Sequence, residues 1–223
     1  MLGWRTRESF AIAVLWTLVL LASGSPLAQP RGWRHVPSIT VVGPNADDVR
    51  LGLVDEAVAF WNRTFEELDS GFRLGSVTRV VAKVPDQALQ SLSDTVLAKT
   101  GVPVTVPPVF SDLPGDIVVV LADADFVSFA APFAAGSRRL VGIKGMGHQP
   151  FIYPNVARNV IAHELGHAIG LGHNSDPAKL MCGRPAPCRP SLFKSDAARF
   201  FPLTDDEKRA LGSMYPVGWK PST

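Results

Sequence analysis

The chain has 223 residues, 46% of them hydrophobic and 19% charged, a composition that can build a buried core and excludes a disordered polymer. Its 22 Lys and Arg against 20 Asp and Glu leave a formal charge of +2, without the basic excess that a nucleic-acid binder carries. The length suits one domain, or two small ones, burying about 70% of the unfolded surface.

Arg5 and Arg7 precede an apolar run from Phe10 to Ala22, followed by small residues and Pro26. That is the layout of a secretory signal peptide. The run falls short of the roughly 20 residues that span a membrane. Residues 1–28 are therefore expected to be a leader cut after Gly24 or Ala28, with an uncleaved anchor as the alternative. Residues 29–223 form the working domain, secreted or periplasmic and without stable membrane insertion. Ser38 to Val42 reads as a strand ended by Gly43 and Pro44. Asn45 or Asp47 can cap a helix from Asp48 to Phe65, whose apolar stripe Val49, Leu53, Ala57, Phe60, Trp61 and Phe65 faces a core. A second strand is expected over Phe72 to Val84. Residues 85–115, with Pro103, Pro107, Pro108 and Pro114, read as an insertion or long surface loop. Asp116 to Leu121 is a strand whose apolar run lacks alternation, as in a strand buried on both faces. Phe126 to Ala130 and Arg139 to Ile143 are strand-like pieces around Pro132, Gly136 and Ser137. Arg138 and Arg139 read as a solvated surface pair, with a preference for acidic substrates as the alternative. Asn155 is the expected cap of the next helix.

That helix carries the string HELGHAIGLGH, residues 163 to 173. His163 and His167 are four apart, so both imidazoles leave one helical face and can bind one metal. Gly170 allows the helix to stop and the chain to reverse through a positive φ, so that His173 can return to the same point. Three neutral histidines leave a fourth tetrahedral position on zinc open for water, acidified to a pKa of about 7. Glu164 adjoins the first ligand but points too far round the helix to share it. It can accept the proton of an attacking water and pass it to a leaving amine. Of five histidines in the chain, three stand in this string. Cys182 and Cys188 flank the bend GRPAP. They are expected to form a disulfide in an exported protein and to stay as thiols in a reducing compartment.

HExxHxxGxxH is the metzincin signature of zinc peptidases, and this string matches it at every position. Leu180-Met181 resembles the family's Met-turn, which implies that Met181 floors the metal site. HNSDPAKLM is similar to the matrixin branch, although Asn174 stands directly after the third histidine and Ser175 one place later. LTDDEKRALGSMYP, residues 203 to 216, resembles the C-terminal matrixin helix, implying that Asp205 or Asp206 braces the Met-turn or holds a new N-terminus. An acidic first turn behind a capping Thr204 accounts for the same residues. By the same likeness the fold is mixed α/β: a twisted, mostly parallel sheet with an antiparallel edge strand, an active-site helix and a C-terminal helix. Phe126, Val127, Ser128, Phe129 and Ala130 take the place of the edge strand that receives an extended substrate. No cysteine precedes the catalytic string, which excludes a cysteine-switch zymogen. His35 and His148 are too few for a second, histidine-rich zinc site. Asp112, Asp116, Asp123 and Asp125 are calcium-type ligands with no positive argument for calcium, and read as solvated loop carboxylates.

The resulting expectation is a monomeric, secreted zinc endopeptidase that hydrolyses peptides or proteins by Glu164-assisted attack of zinc-bound water. The alternative is a zinc-stabilised, catalytically latent interaction module.

Overall fold

The computed structural model describes residues 32–98, 104–183, 193–195 and 197–222. The leader expected over residues 1–28 lies outside the described residues, as does Cys188. A five-stranded sheet of order β2-β1-β3-β5-β4 is built from β1 (Ile39–Gly43), β2 (Val77–Val81), β3 (Ile117–Leu121), β4 (Phe129–Phe133) and β5 (Arg138–Ile143). β1 runs parallel to both β2 and β3, β3 runs parallel to β5, and β4 joins β5 antiparallel at the edge. This is the mixed α/β architecture expected from the sequence. Every residue of central β3 is buried. Ile117, Val119 and Leu121 enter one hydrophobic cluster while Val118 and Val120 enter the other, which is why the strand has no polar alternation.

Two long helices, α1 (Val49–Glu67) and α4 (Pro154–Ala168), pack on each other and cover one face of the sheet. Trp61, fully buried on α1, donates its indole N–H to Ala162 O of α4 at 2.9 Å. The cap of α1 is Asp48, whose carboxylate accepts from Arg50 N, rather than Asn45 or Asp47. The reason is tertiary. Arg50 is buried, grips the same carboxylate, and donates to Ala122 O and Lys144 O, which locks Asp48 at the helix start.

The opposite face corrects the loop expected over residues 85–115. It carries helix α2 (Asp86–Ala98) and the short α3 (Pro108–Ser111). Leu89, Leu92 and Phe110 pack there with Val118, Val120 and Leu140. β2 is shorter than expected because Phe72 and Leu74 turn into the core instead of pairing. Nor are the two arginines a solvated pair. Arg138 donates to Gly115 O, Ser111 O and Leu113 O, and Arg139 to Gly136 O, so they tie loops at the foot of the hairpin. The C-terminal helix α5 (Asp205–Met214) starts on Thr204 in a complete capping box with Glu207. Among the described residues no helix is long and apolar enough to cross a membrane.

Candidate metal centre

Helix α4 enters on Tyr153, in extended conformation, with Pro154 in its first turn. A proline supplies the helical φ and has no N–H to leave orphaned, so no side-chain cap is needed. Asn155 is therefore inside the helix and buried, not its cap. It donates to Phe193 O at 2.8 Å and accepts from Arg199 N at 3.0 Å. One turn on, buried Asn159 donates to Arg199 O at 2.9 Å and accepts from Phe201 N at 2.8 Å. These two amides bind a passing chain much as a strand would, and moor it along the helix.

The other end of α4 closes in a Schellman motif. Leu171 N reaches Gly166 O at 2.9 Å and Gly170 N reaches His167 O at 3.0 Å, with Gly170 at φ 110°. The last carbonyls are also capped by side chains distant in sequence, Trp33 Nε1 on Ala168 O (3.0 Å) and Tyr215 Oη on Ile169 O (2.8 Å). The reversal at Gly170 carries His173 back beside its two partners. His163 Nε2 and His167 Nε2 stand 3.0 Å apart, His167 and His173 Nε2 2.9 Å, and His163 and His173 Nε2 3.3 Å.

Which nitrogen carries the proton follows from the backbone. His163 Nδ1 lies 2.7 Å from Leu180 O and His167 Nδ1 lies 2.8 Å from Leu171 O. A carbonyl only accepts, so both Nδ1 atoms donate and both Nε2 atoms present lone pairs. Burial, reinforced by the charges of neighbouring imidazoles, pushes His163 down to about 4 and His167 down to about 3, so both rings are neutral near pH 7. Two lone pairs facing each other at 3.0 Å cannot hydrogen-bond to each other. A cation between them turns the repulsion into attraction. His163, His167 and His173 are the group among the described residues able to hold a metal ion. Glu164 stands beside the first of them, 6% exposed, and burial pushes its carboxyl up to about 8. A cation alongside pulls such a group back toward ionisation.

Below the histidines lies the Leu180-Met181 turn. Leu180 supplies the carbonyl that orients His163 and is itself held through Leu180 N to Pro202 O at 3.0 Å. Met181 is fully buried, and a Cβ on Gly166 would sit 2.5 Å from its sulfur, so helix and turn meet at a bare Cα. Gly183 likewise leaves room for the His173 ring. Neither aspartate expected to brace this turn does so. Asp205 and Asp206 are exposed, and it is buried Glu207 that reaches across, its Oε1 accepting from Asn174 Nδ2 at 2.6 Å. The TxxE spacing of Thr204 and Glu207 is legible as a capping box, but the partner 33 residues away is not.

The expected substrate strand is only partly where it was drawn. Of Phe126, Val127, Ser128, Phe129 and Ala130, the last two belong to β4. Phe126 and Phe129 are buried on the α2 side, Val127 O accepts from Ser93 Oγ, and Ser128 Oγ accepts from Lys144 N. Pro132, with no N–H to give, turns its carbonyl to Val104 N at 2.9 Å and covers part of the edge. The four aspartates considered for calcium do not converge. Asp116 pairs with His35 and Ser38, Asp125 with Lys144, Asp123 with Arg50, and Asp112 with Ser111. Among the described residues no cysteine is free.

No family model and no curated protein matches the chain. Among solved structures it is similar to archaemetzincin from Methanopyrus kandleri, with a TM-score of 0.49, 18% identity, and 81% of this chain and 96% of that one covered. It is also similar to a chain in the structure of a chaperone-substrate complex, with a TM-score of 0.48 and 15% identity over 84% of this chain. It spans 35% of that second chain. At this level of likeness the chemistry rests on the three histidines and Glu164, not on the neighbours.

Proposed function

We propose that the protein is a metzincin-type zinc endopeptidase that hydrolyses peptide bonds in peptides or proteins. The observation that carries this reading is the convergence of three imidazole Nε2 atoms within 3.3 Å, with the Nδ1 protons of His163 and His167 committed to backbone carbonyls. Ligand nitrogens on a tetrahedral zinc stand about 3.3 Å apart, so the donor set and its spacing suit that ion. When bound, zinc supplies a Lewis acid that polarises a scissile carbonyl and acidifies water. His163, His167 and His173 would hold it, and the carbonyls of Leu180 and Leu171 fix the tautomers of the first two. The Glu164 carboxylate takes a proton from the attacking water as its oxygen bonds to the carbonyl carbon. It then gives that proton to the amine nitrogen as the C–N bond breaks. Hydrophobic packing around buried Met181 gives the site an apolar floor. The HNSDPAKLM stretch favours the matrixin branch. Export by the leader and a Cys182–Cys188 disulfide complete the proposal, since such a bridge persists only outside the reducing cytosol.

The test separates metal holding from proton transfer. Glu164→Ala should keep one zinc per chain and lose nearly all hydrolysis of a peptide substrate, while His167→Ala should lose both. Undiminished hydrolysis by zinc-loaded Glu164→Ala would sink the mechanism.

A further inference from the structure

The three histidines stand on two different kinds of backbone. His163 and His167 are built into a helix, whereas His173 is exposed on the loop beyond Gly170. The next residue, Asn174, ties that loop to the rest of the domain. Asn174 donates its backbone N–H to Met181 O at 2.9 Å, accepts from Gly183 N at 3.1 Å, and bridges in parallel fashion to Cys182. Its side chain has both ends engaged: Oδ1 accepts from Asp176 N at 2.8 Å, and Nδ2 donates to Glu207 Oε1 at 2.6 Å. Glu207 is 7% exposed and its second oxygen accepts from Thr204 N at 2.7 Å.

We propose that Asn174 and Glu207 are a positioning pair that anchors the His173 loop to helix α5 and thereby sets the affinity of the site for its metal. The inference rests on the zinc reading above. Its basis is a donor and acceptor chain in which every role is fixed. Thr204 N and Asp176 N can only donate, so Glu207 must accept twice, and the Asn174 amide must turn its oxygen to Asp176 and its nitrogen to Glu207. A short hydrogen bond to a buried carboxylate is of the strong, charge-assisted kind. The pair borders a cleft of about 470 Å³ lined in part by His173, Asn174, Thr204 and Glu207. Water there can hydrate a mispaired group, so a fault in the pair is expected to move the loop rather than unfold the domain.

The fixed roles define an exchange test. Glu207→Gln sets an amide N–H₂ against the Asn174 amide N–H₂, and Asn174→Asp sets a carboxylate against the Glu207 carboxylate. Combined, the two changes restore one donor facing one acceptor, with Thr204 N and Asp176 N still satisfied. The experiment is zinc affinity by chelator competition for the wild type, both single variants, the double variant and Thr204→Ala, with thermal melting of each. Each single variant should bind zinc about 10- to 100-fold more weakly, the range seen when outer-shell partners of metal ligands are lost. The double variant should return to within a few-fold of wild type. Thr204→Ala, which weakens the α5 cap without touching Asn174, should lower the melting temperature and leave zinc affinity alone. Single variants with wild-type affinity would overturn the proposal, and so would a double variant as weak as the two losses multiplied or unfolded like its parents. A wild type that binds no zinc would instead remove the metal reading beneath it, a different and recognisable failure.

Discussion

The two faces of the sheet are built differently. On one side α1 and α4 are long, run against each other and bury Trp61, Phe65, Ile161 and Leu165 in a continuous cluster that reaches Met181 beneath the histidines. On the other side α2 buries only Leu89, Leu92 and Ser93, and α3 is a single turn contributing Phe110. The first face is both core and chemical platform, because the helix that carries His163, Glu164 and His167 is packed along most of its length. The second closes the sheet and, through Val104, part of its edge. The more extensive packing lies behind the histidines that could hold a metal ion.

The largest expected effect sharpens that contrast. Trp61→Ala removes a fully buried indole and its hydrogen bond to Ala162 O, and should cost about 3–5 kcal/mol of stability while weakening zinc binding, because α4 loses its backing. Leu92→Ala, on the opposite face, should cost about 2–3 kcal/mol and leave zinc affinity unchanged. Denaturant unfolding together with chelator competition reads both. Equal loss of zinc affinity in the two variants would erase the distinction between the faces.

A smaller effect concerns Asp116, which joins the entry of β3 to Ser38, just before β1. Burial by itself would raise this carboxyl, but hydrogen bonds from Ser38 N and Ser38 Oγ and the imidazole of His35 hold it below its ordinary value of 3.8. The folded state therefore prefers the ionised form. That preference is fully present above pH 3.8 and is lost as pH falls through the lower folded value. Asp116→Asn should remove this acid-side loss and leave zinc affinity unchanged near pH 7. Urea titrations between pH 2 and 7 would show it as a flatter profile on the acid side, and an unchanged profile would refute the assignment.

What the sequence conveyed depended on how local each pattern is. The stripe of α1, the run Ile117 to Leu121 and the string from His163 to His173 are local patterns with a strong period or fixed spacing, and each lies where expected. α2 does carry a helical pattern, with Leu89, Leu92 and Val96 at spacings of three and four, but the prolines downstream color the whole stretch as loop, although the helix ends before Pro103. The boundary of the Phe72 to Val84 strand failed for a different reason: an apolar residue can be buried without pairing, as Phe72 and Leu74 are. Side-chain partners were the least legible, even where a cap such as Thr204 stood where expected. Asp48 prevailed over Asn45 and Asp47 through Arg50, and Glu207 over Asp205 and Asp206 through Asn174, and both choices depend on partners distant in sequence or on burial that no local pattern displays.

Whether three histidines and Glu164 make this chain an endopeptidase is decided by mass-spectrometric mapping of cleavage in a diverse peptide mixture, comparing the zinc-loaded protein with zinc-loaded Glu164→Ala. Cuts in the interior of peptides by the wild type, absent with the variant, are the predicted result. Equal cutting by both proteins, or none by either with zinc bound, would contradict it.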